Sequence, residues 1–208
     1  VDLVKPAIDR WLAERAALAD PVLESMERIA AERDFPIVGP QVGRLLEVLA
    51  RASGARRVFE LGSGFGYSAF WFLRGLPPDG SILLTDGSAD HCRRAREFLG
   101  EPGRVRIEVG DAFETAARER GPFDLVFCDV DKQDYPRVHD VADRLLRPGG
   151  LLIVDNMLWY GKVLEPSAGD RATAGVLGLH ERLATSGRFA AATLPVRDGV
   201  TVAVKLPV

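Results

Sequence analysis

Val58-Phe59-Glu60-Leu61-Gly62-Ser63-Gly64-Phe65-Gly66-Tyr67-Ser68 is the stretch that decides the fold of this chain. It reads as an apolar strand, a glycine-rich turn and the start of a helix. The glycines let the backbone turn tightly and leave no side chain between the main chain and a ligand. The helix that follows aims its first amide N–H groups at whatever lies over the turn. Glu60 is the odd residue, an acid at the end of an apolar strand. Burying a lone charge is costly, so Glu60 needs a partner.

Outward from this stretch, short apolar runs alternate with helical patterns. The pattern predicts strands at 57–61, 81–85, 104–109, 123–129 and 150–155, with helices at about 67–75, 88–99, 112–120 and 134–146. Pro77-Pro78-Asp79-Gly80, Gly121-Pro122 and Pro148-Gly149-Gly150 mark the breaks. Strand–helix alternation implies a doubly wound α/β domain with a mostly parallel sheet. Phe123–Cys128 and Leu151–Val154 are nearly continuous apolar runs, as central strands covered on both faces require. A further helix is expected from about Arg171 to Ser186. Phe189–Val196 and Val200–Leu206 flank Arg197-Asp198-Gly199, which predicts a C-terminal antiparallel hairpin.

Before the first strand, apolar positions predict three helices, over 3–19, Pro21 to about Arg33, and Pro40 to Ser53. This extra N-terminal region, 1–53, is too apolar for a tail, so it is expected to cover the sheet or a partner subunit. One domain over 1–208 accounts for the sequence. A net charge of -3 argues against a dedicated nucleic-acid or anionic-membrane binder. No run is long enough to span a bilayer, and no signal peptide is expected at the start. Cys92 and Cys128 read as free buried thiols, which fits a cytoplasmic location.

In such a sheet, ligands sit beyond the carboxyl ends of the strands. Those ends carry the Gly62-Ser63-Gly64 turn, Asp86, Asp111-Ala112, Asp129 and Asp155-Asn156. Asp86 stands roughly twenty residues beyond the glycine turn, where an acid takes a ribose diol. It could equally cap a helix. Asp111 and Ala112 could flank an adenine, with a helix cap again the competing role. Tyr67 replaces the third glycine of a dinucleotide fingerprint, and Glu60 opposes a pyrophosphate. A ligand with an ammonium for Glu60, a carboxylate for Ser68 and the helix N-terminus, a ribose and an adenine is S-adenosylmethionine.

The first stretch, then Asp129-Val130-Asp131-Lys132 with Tyr135, then Asp155-Asn156-Met157-Leu158-Trp159-Tyr160-Gly161, resembles the cation-dependent O-methyltransferases, a family that includes catechol and caffeoyl-coenzyme A O-methyltransferases. The resemblance runs over about 36–206 and implies the Rossmann-like, seven-stranded class I methyltransferase fold. It implies that Asp129, Asp155 and Asn156 bind a divalent metal. Three oxygen donors suit a hard cation, Mg2+. It implies that Lys132 is catalytic, that Val38 meets the cofactor through its backbone, and that the chain forms a homodimer. The reference pKa of lysine, about 10.4, makes it a poor base unless nearby cations depress it.

The implied activity is methyl transfer to a hydroxyl of a small vicinal-diol or phenolic acceptor. Catechol-type members carry one more acid near the chain end, and the aligned Phe189-Ala190-Ala191-Ala192 has none. A hydroxylated tRNA base is an alternative acceptor, with Arg51, Arg56, Arg57, Arg93, Arg94, Arg96, Arg104 and Arg106 as a possible basic surface. An NAD-type dehydrogenase and a non-catalytic cofactor-binding subunit are the other readings. Trp11 and Trp71 are expected in the core or an interface, and His91, His139 and His180 in packing or solvent roles.

Overall fold

The computed structural model describes residues 4–100 and 103–207. Three N-terminal helices, α1 (Pro6–Ala16), α2 (Pro21–Glu32) and α3 (Gly39–Ala52), precede strand β1 (Arg57–Leu61). Then follow α4 (Tyr67–Gly75), β2 (Ser81–Asp86), α5 (Ala89–Leu99), β3 (Val105–Val109), α6 (Ala112–Arg118), β4 (Phe123–Cys128), α7 (Tyr135–Leu145) and β5 (Leu146–Val154). Helix α8 (Arg171–Thr185) and the pair β6 (Phe189–Leu194) and β7 (Val200–Lys205) complete the chain. The sheet order is β3-β2-β1-β4-β5-β7-β6. β1 to β5 run parallel; β7 is antiparallel to β5, and β6 to β7.

Strand periodicity sorts the core onto two faces. Val58, Ile82, Leu84, Leu125, Phe127 and Ile153 pack against α2, α3, α4 and α5. Phe59, Leu61, Leu83, Val126, Leu152 and Val154 meet α6, α7 and α8 on the other face. Glu60 alternates with Phe59 and so falls on the α4 face, inside the first core. The α3–α4 contact is close because Gly43 lies against the Trp71 indole and Gly75 against Ala50. Glu47, also buried there, pairs with Arg44, Arg51 and Arg74.

The hairpin stands as expected, and both cysteines are buried and free. Two expectations change, the bounds of α1 and of β5. Helix α1 is shorter than 3–19: Pro6 starts it at a fixed φ, and Leu18 lies beyond its end. Leu3 lies outside the described residues. β5 begins at Leu146 rather than 150, because Leu146 already pairs with Phe123 across a register shift. Trp71 is core, but Trp11 is 53% exposed with Ile8 and Leu12, since α1 packs chiefly along α3 and buries none of its own side chains. Among the described residues no helix is long and apolar enough to cross a membrane.

Candidate active site

The order reverses between β1 and β4, and both strands end at the same level. The Asp129 N–H donates to the Leu61 carbonyl at 2.9 Å. A Cβ at Gly62 would strike the Asp129 carbonyl, and one at Gly64 would strike the Phe35 ring. These two glycines are therefore set by close approach as well as by their positive φ. Gly66, at φ 91°, caps α4 in the left-handed conformation, and Tyr67 follows it, buried, donating its hydroxyl to Glu27 at 2.7 Å.

Two clefts open at this rim. The first, about 480 Å³, is lined by Val38, Gly62, Ser63, Gly64, Tyr67, Ser68, Asp86, Asp111, Ala112 and Asp129. Every residue singled out in the sequence for cofactor binding lines it except Glu60, which lies just beneath, fully buried. Ser68 donates its hydroxyl to Glu60 Oε1, while Glu60 Oε2 has no hydrogen-bond partner. Burial pushes the Glu60 carboxyl up to about 8, against the pull of Ser68 and with the help of the Asp129 and Asp86 charges. The Ser68 hydroxyl proton is thus engaged by Glu60, and the N–H groups of Gly62, Ser63, Gly64 and Gly66 are engaged too, by Thr85, Asp86 and Ser63.

Asp86 Oδ2 accepts from the Gly64 N–H at 2.9 Å, and its Oδ1 accepts from Ser88 N–H at 2.8 Å. His91 Nδ1 lies 3.0 Å from Oδ1, and its ring packs on Phe35, so of the packing and solvent roles expected for it the packing one holds, in the cleft wall. Asp111 caps α6, accepting from the Phe113 and Glu114 N–H groups at 2.8 Å, the competing role weighed for it.

The second cleft, about 1240 Å³, contains Asp129, Lys132, Asp155 and Asn156, together with Trp159, Tyr160, Arg197 and Asp198. Lys132 Nζ donates to Asp129 Oδ1 at 2.7 Å and to the Val130 carbonyl at 3.2 Å. It lies over the Tyr135 and Trp159 rings. Asp155 is 5% exposed, and its carbonyl accepts from the Tyr135 hydroxyl at 2.7 Å. Desolvation, with the Asp129 charge behind it, pushes the Asp155 carboxyl up to about 7. His180 Nε2 sits 2.8 Å from the Met157 carbonyl, so the segment after β5 is held from two helices. Among the described residues no group of three or more His, Cys, Asp or Glu stands at cation-holding spacing. The donors gathered here are two carboxylates and one amide, a hard oxygen set with a strained electrostatic balance, which fits a divalent cation.

Sequence reasoning missed Asp198 and Arg197. The Asp-Gly pair was fully explained as a hairpin turn, and only the packing of that turn on the loop after β5 brings it to the site. Arg197 donates from Nη1 to the Ile37 carbonyl at 2.9 Å, joining the hairpin to the connection that carries Val38.

The chain as a whole is similar to known proteins. An O-methyltransferase family model matches residues 13–206. A Mycobacteroides abscessus protein named for that activity is 34% identical over 198 residues, spanning 93% of this chain and 92% of its own length. The O-methyltransferase from Bacillus cereus, solved in complex with SAH, superposes with a TM-score of 0.87 at 30% identity, covering 96% of this chain and 97% of that one. The Streptomyces achromogenes O-methyltransferase TomG, solved with SAM and involved in tomaymycin synthesis, gives 0.87 at 32% identity over 97% and 96%. The chain belongs to the O-methyltransferase family and has its Rossmann-like methyltransferase fold.

Proposed function

We propose that this chain transfers a methyl group from S-adenosylmethionine to a hydroxyl of a small vicinal-diol or phenolic acceptor, with a divalent cation, Mg2+, held by Asp129, Asp155 and Asn156. The observation that carries the reading is the position of Asp129, which lines both clefts and holds Lys132 Nζ at 2.7 Å where they meet. S-Adenosylmethionine supplies an activated methyl on a sulfonium. The cation, when bound, lowers the pKa of an acceptor hydroxyl.

The chain's own residues do the rest. Glu60 Oε2, buried and unpartnered, takes the donor's ammonium, and Asp86 takes the ribose diol. Asp111 and Ala112 border the adenine. Lys132 Nζ, held by Asp129 Oδ1 and the Val130 carbonyl, is the group placed to receive the acceptor proton. Trp159 and Tyr160 wall the acceptor cavity and exclude water. Much of the acceleration comes from holding acceptor oxygen and methyl in line.

The tRNA alternative is weakened by where its arginines point. Arg51 pairs with Glu47, Arg56 with Asp79, Arg93 and Arg94 with Asp90, and Arg106 with Glu108 and Glu119. A dinucleotide would place a pyrophosphate over the buried Glu60. A homodimer is proposed on the exposed Ile8, Trp11 and Leu12 of α1, and sedimentation tests it. The function is tested by methyl transfer to a panel of catechols and monophenols. Catechol turnover that stops with chelator and returns with Mg2+ supports the reading; no transfer to any hydroxyl overturns it.

A further inference from the structure

The turn between β6 and β7 is stapled to the loop that follows β5. Met157 N–H donates to the Gly199 carbonyl at 2.9 Å, and Leu158 N–H to the Asp198 carbonyl at 2.8 Å. Tyr160 N–H donates to Asp198 Oδ1 at 2.6 Å. These bonds hold a segment in which Asn156, Trp159 and Tyr160 all have positive φ, at 55°, 47° and 53°. Side chains other than glycine rarely adopt that region, and such residues persist only where their surroundings over-determine them. Gly199 is part of the staple, since a Cβ there would strike Leu158.

Asp198 therefore has one oxygen spent on the loop. The other, Oδ2, is shut away from solvent and has no hydrogen-bond partner. A buried carboxylate oxygen without a donor is costly. The candidate donor is the side-chain amide of Asn156, which lines the same cleft, and the bonds from Met157 and Leu158 to Gly199 and Asp198 lay its segment against the hairpin tip. An asparagine has two ends, an oxygen and an NH2 group. Only the oxygen can serve a hard cation. A carboxylate is acceptor-only, so it selects the NH2 end and leaves the oxygen for the cavity.

We propose that Asp198 is a positioning residue for the cation: it receives the Asn156 Nδ2–H on Oδ2 and so turns Asn156 Oδ1 toward Asp129 and Asp155. The inference rests on the cation reading above and adds to it a residue outside the three proposed ligands. It also explains why an acid sits at the hairpin tip, where the turn alone needs only the glycine.

The test is Mn2+ affinity, read by electron paramagnetic resonance without donor or acceptor. Asp198→Asn keeps an oxygen for Tyr160 N–H but presents an NH2 group to Asn156. It is expected to weaken Mn2+ binding about 10–100-fold, with thermal unfolding in chelator and S-adenosylmethionine affinity as in the wild type. The exchange Asn156→Asp/Asp198→Asn restores a matched donor and acceptor with the same net charge. It is expected to recover at least about tenfold of that loss. Full affinity in Asp198→Asn overturns the proposal and leaves the cation reading standing. A normally folded exchange variant that stays weak also overturns it, pointing to Asp198 as a direct ligand. A wild type that binds no Mn2+ removes the cation reading and this proposal together.

Discussion

The two clefts that meet at Asp129 are built in different ways. The donor cleft comes from consecutive chain: β1, its glycine turn and α4, with Asp86 and Asp111 at the ends of the next two strands. The acceptor cavity is assembled from β4, β5 and the β6–β7 turn, which lie far apart in sequence. The first has one buried acid beneath it, Glu60, with an oxygen that has no hydrogen-bond partner. The second gathers Asp129, Asp155 and Asp198 around a single lysine, on loops with strained backbone. The acceptor cavity has a surplus of negative charge that a cation would balance.

Lys132 offers the sharpest way to break the comparison. Lys132→Ala should lower turnover about 10²–10⁴-fold, the range for a positioned proton acceptor, while calorimetry shows S-adenosylmethionine affinity nearly unchanged. A fully active variant would sink its role.

Glu60 gives the next largest effect, with opposite signs for two properties. Glu60→Gln should weaken S-adenosylmethionine binding by roughly 1.5–3 kcal/mol, the scale of a hydrogen bond to a charged group. The free protein should become more stable. The Glu60 carboxyl stands at about 8 in the fold against an ordinary 4.5, so its contribution is full below pH 4.5 and is lost as pH rises through 8. At pH 8, thermal unfolding should show the variant ahead, by at most about 4 kcal/mol. Equal stability at that pH would mean that Glu60 is not held neutral.

The same acid makes a calorimetric prediction for the wild type. At pH 7 Glu60 is largely protonated in the free protein, and an ammonium beside it ionises it. Donor binding should therefore release close to one proton, read from binding heats in two buffers of different ionisation enthalpy. Zero release would contradict the ammonium assignment.

Arg197 sharpens the comparison most finely, because it ties the acceptor-side hairpin to the donor-side connection through the Ile37 carbonyl. Arg197→Gly relieves a positive φ of 50° and removes that tie. Stability should move by no more than about 1 kcal/mol, while donor affinity falls a few-fold. An unchanged donor affinity would show that the clefts are not linked there.

The same contrast explains how much could be read before the structure. Strand–helix alternation, Gly62 and Gly64, and Asp86 carry local signals, and the donor cleft followed from them. Asp155 and Asn156 stood out as strand-end residues, but their metal role and the catalytic role of Lys132 entered only through family resemblance, since each alone reads as a helix start or a cap. Asp198 was hidden by the success of its local explanation: Asp-Gly is a turn signal, and nothing in the adjacent residues says which loop the turn packs on. The commitment of Ser68 to Glu60 was likewise invisible, because it depends on strand periodicity placing Glu60 on the α4 face.

The most direct measurement is calorimetry of S-adenosylmethionine, and then of catechol, each in chelator and in Mg2+. The account predicts that donor affinity is the same in both conditions and that catechol binds only in Mg2+. Catechol binding equally well in chelator would contradict it.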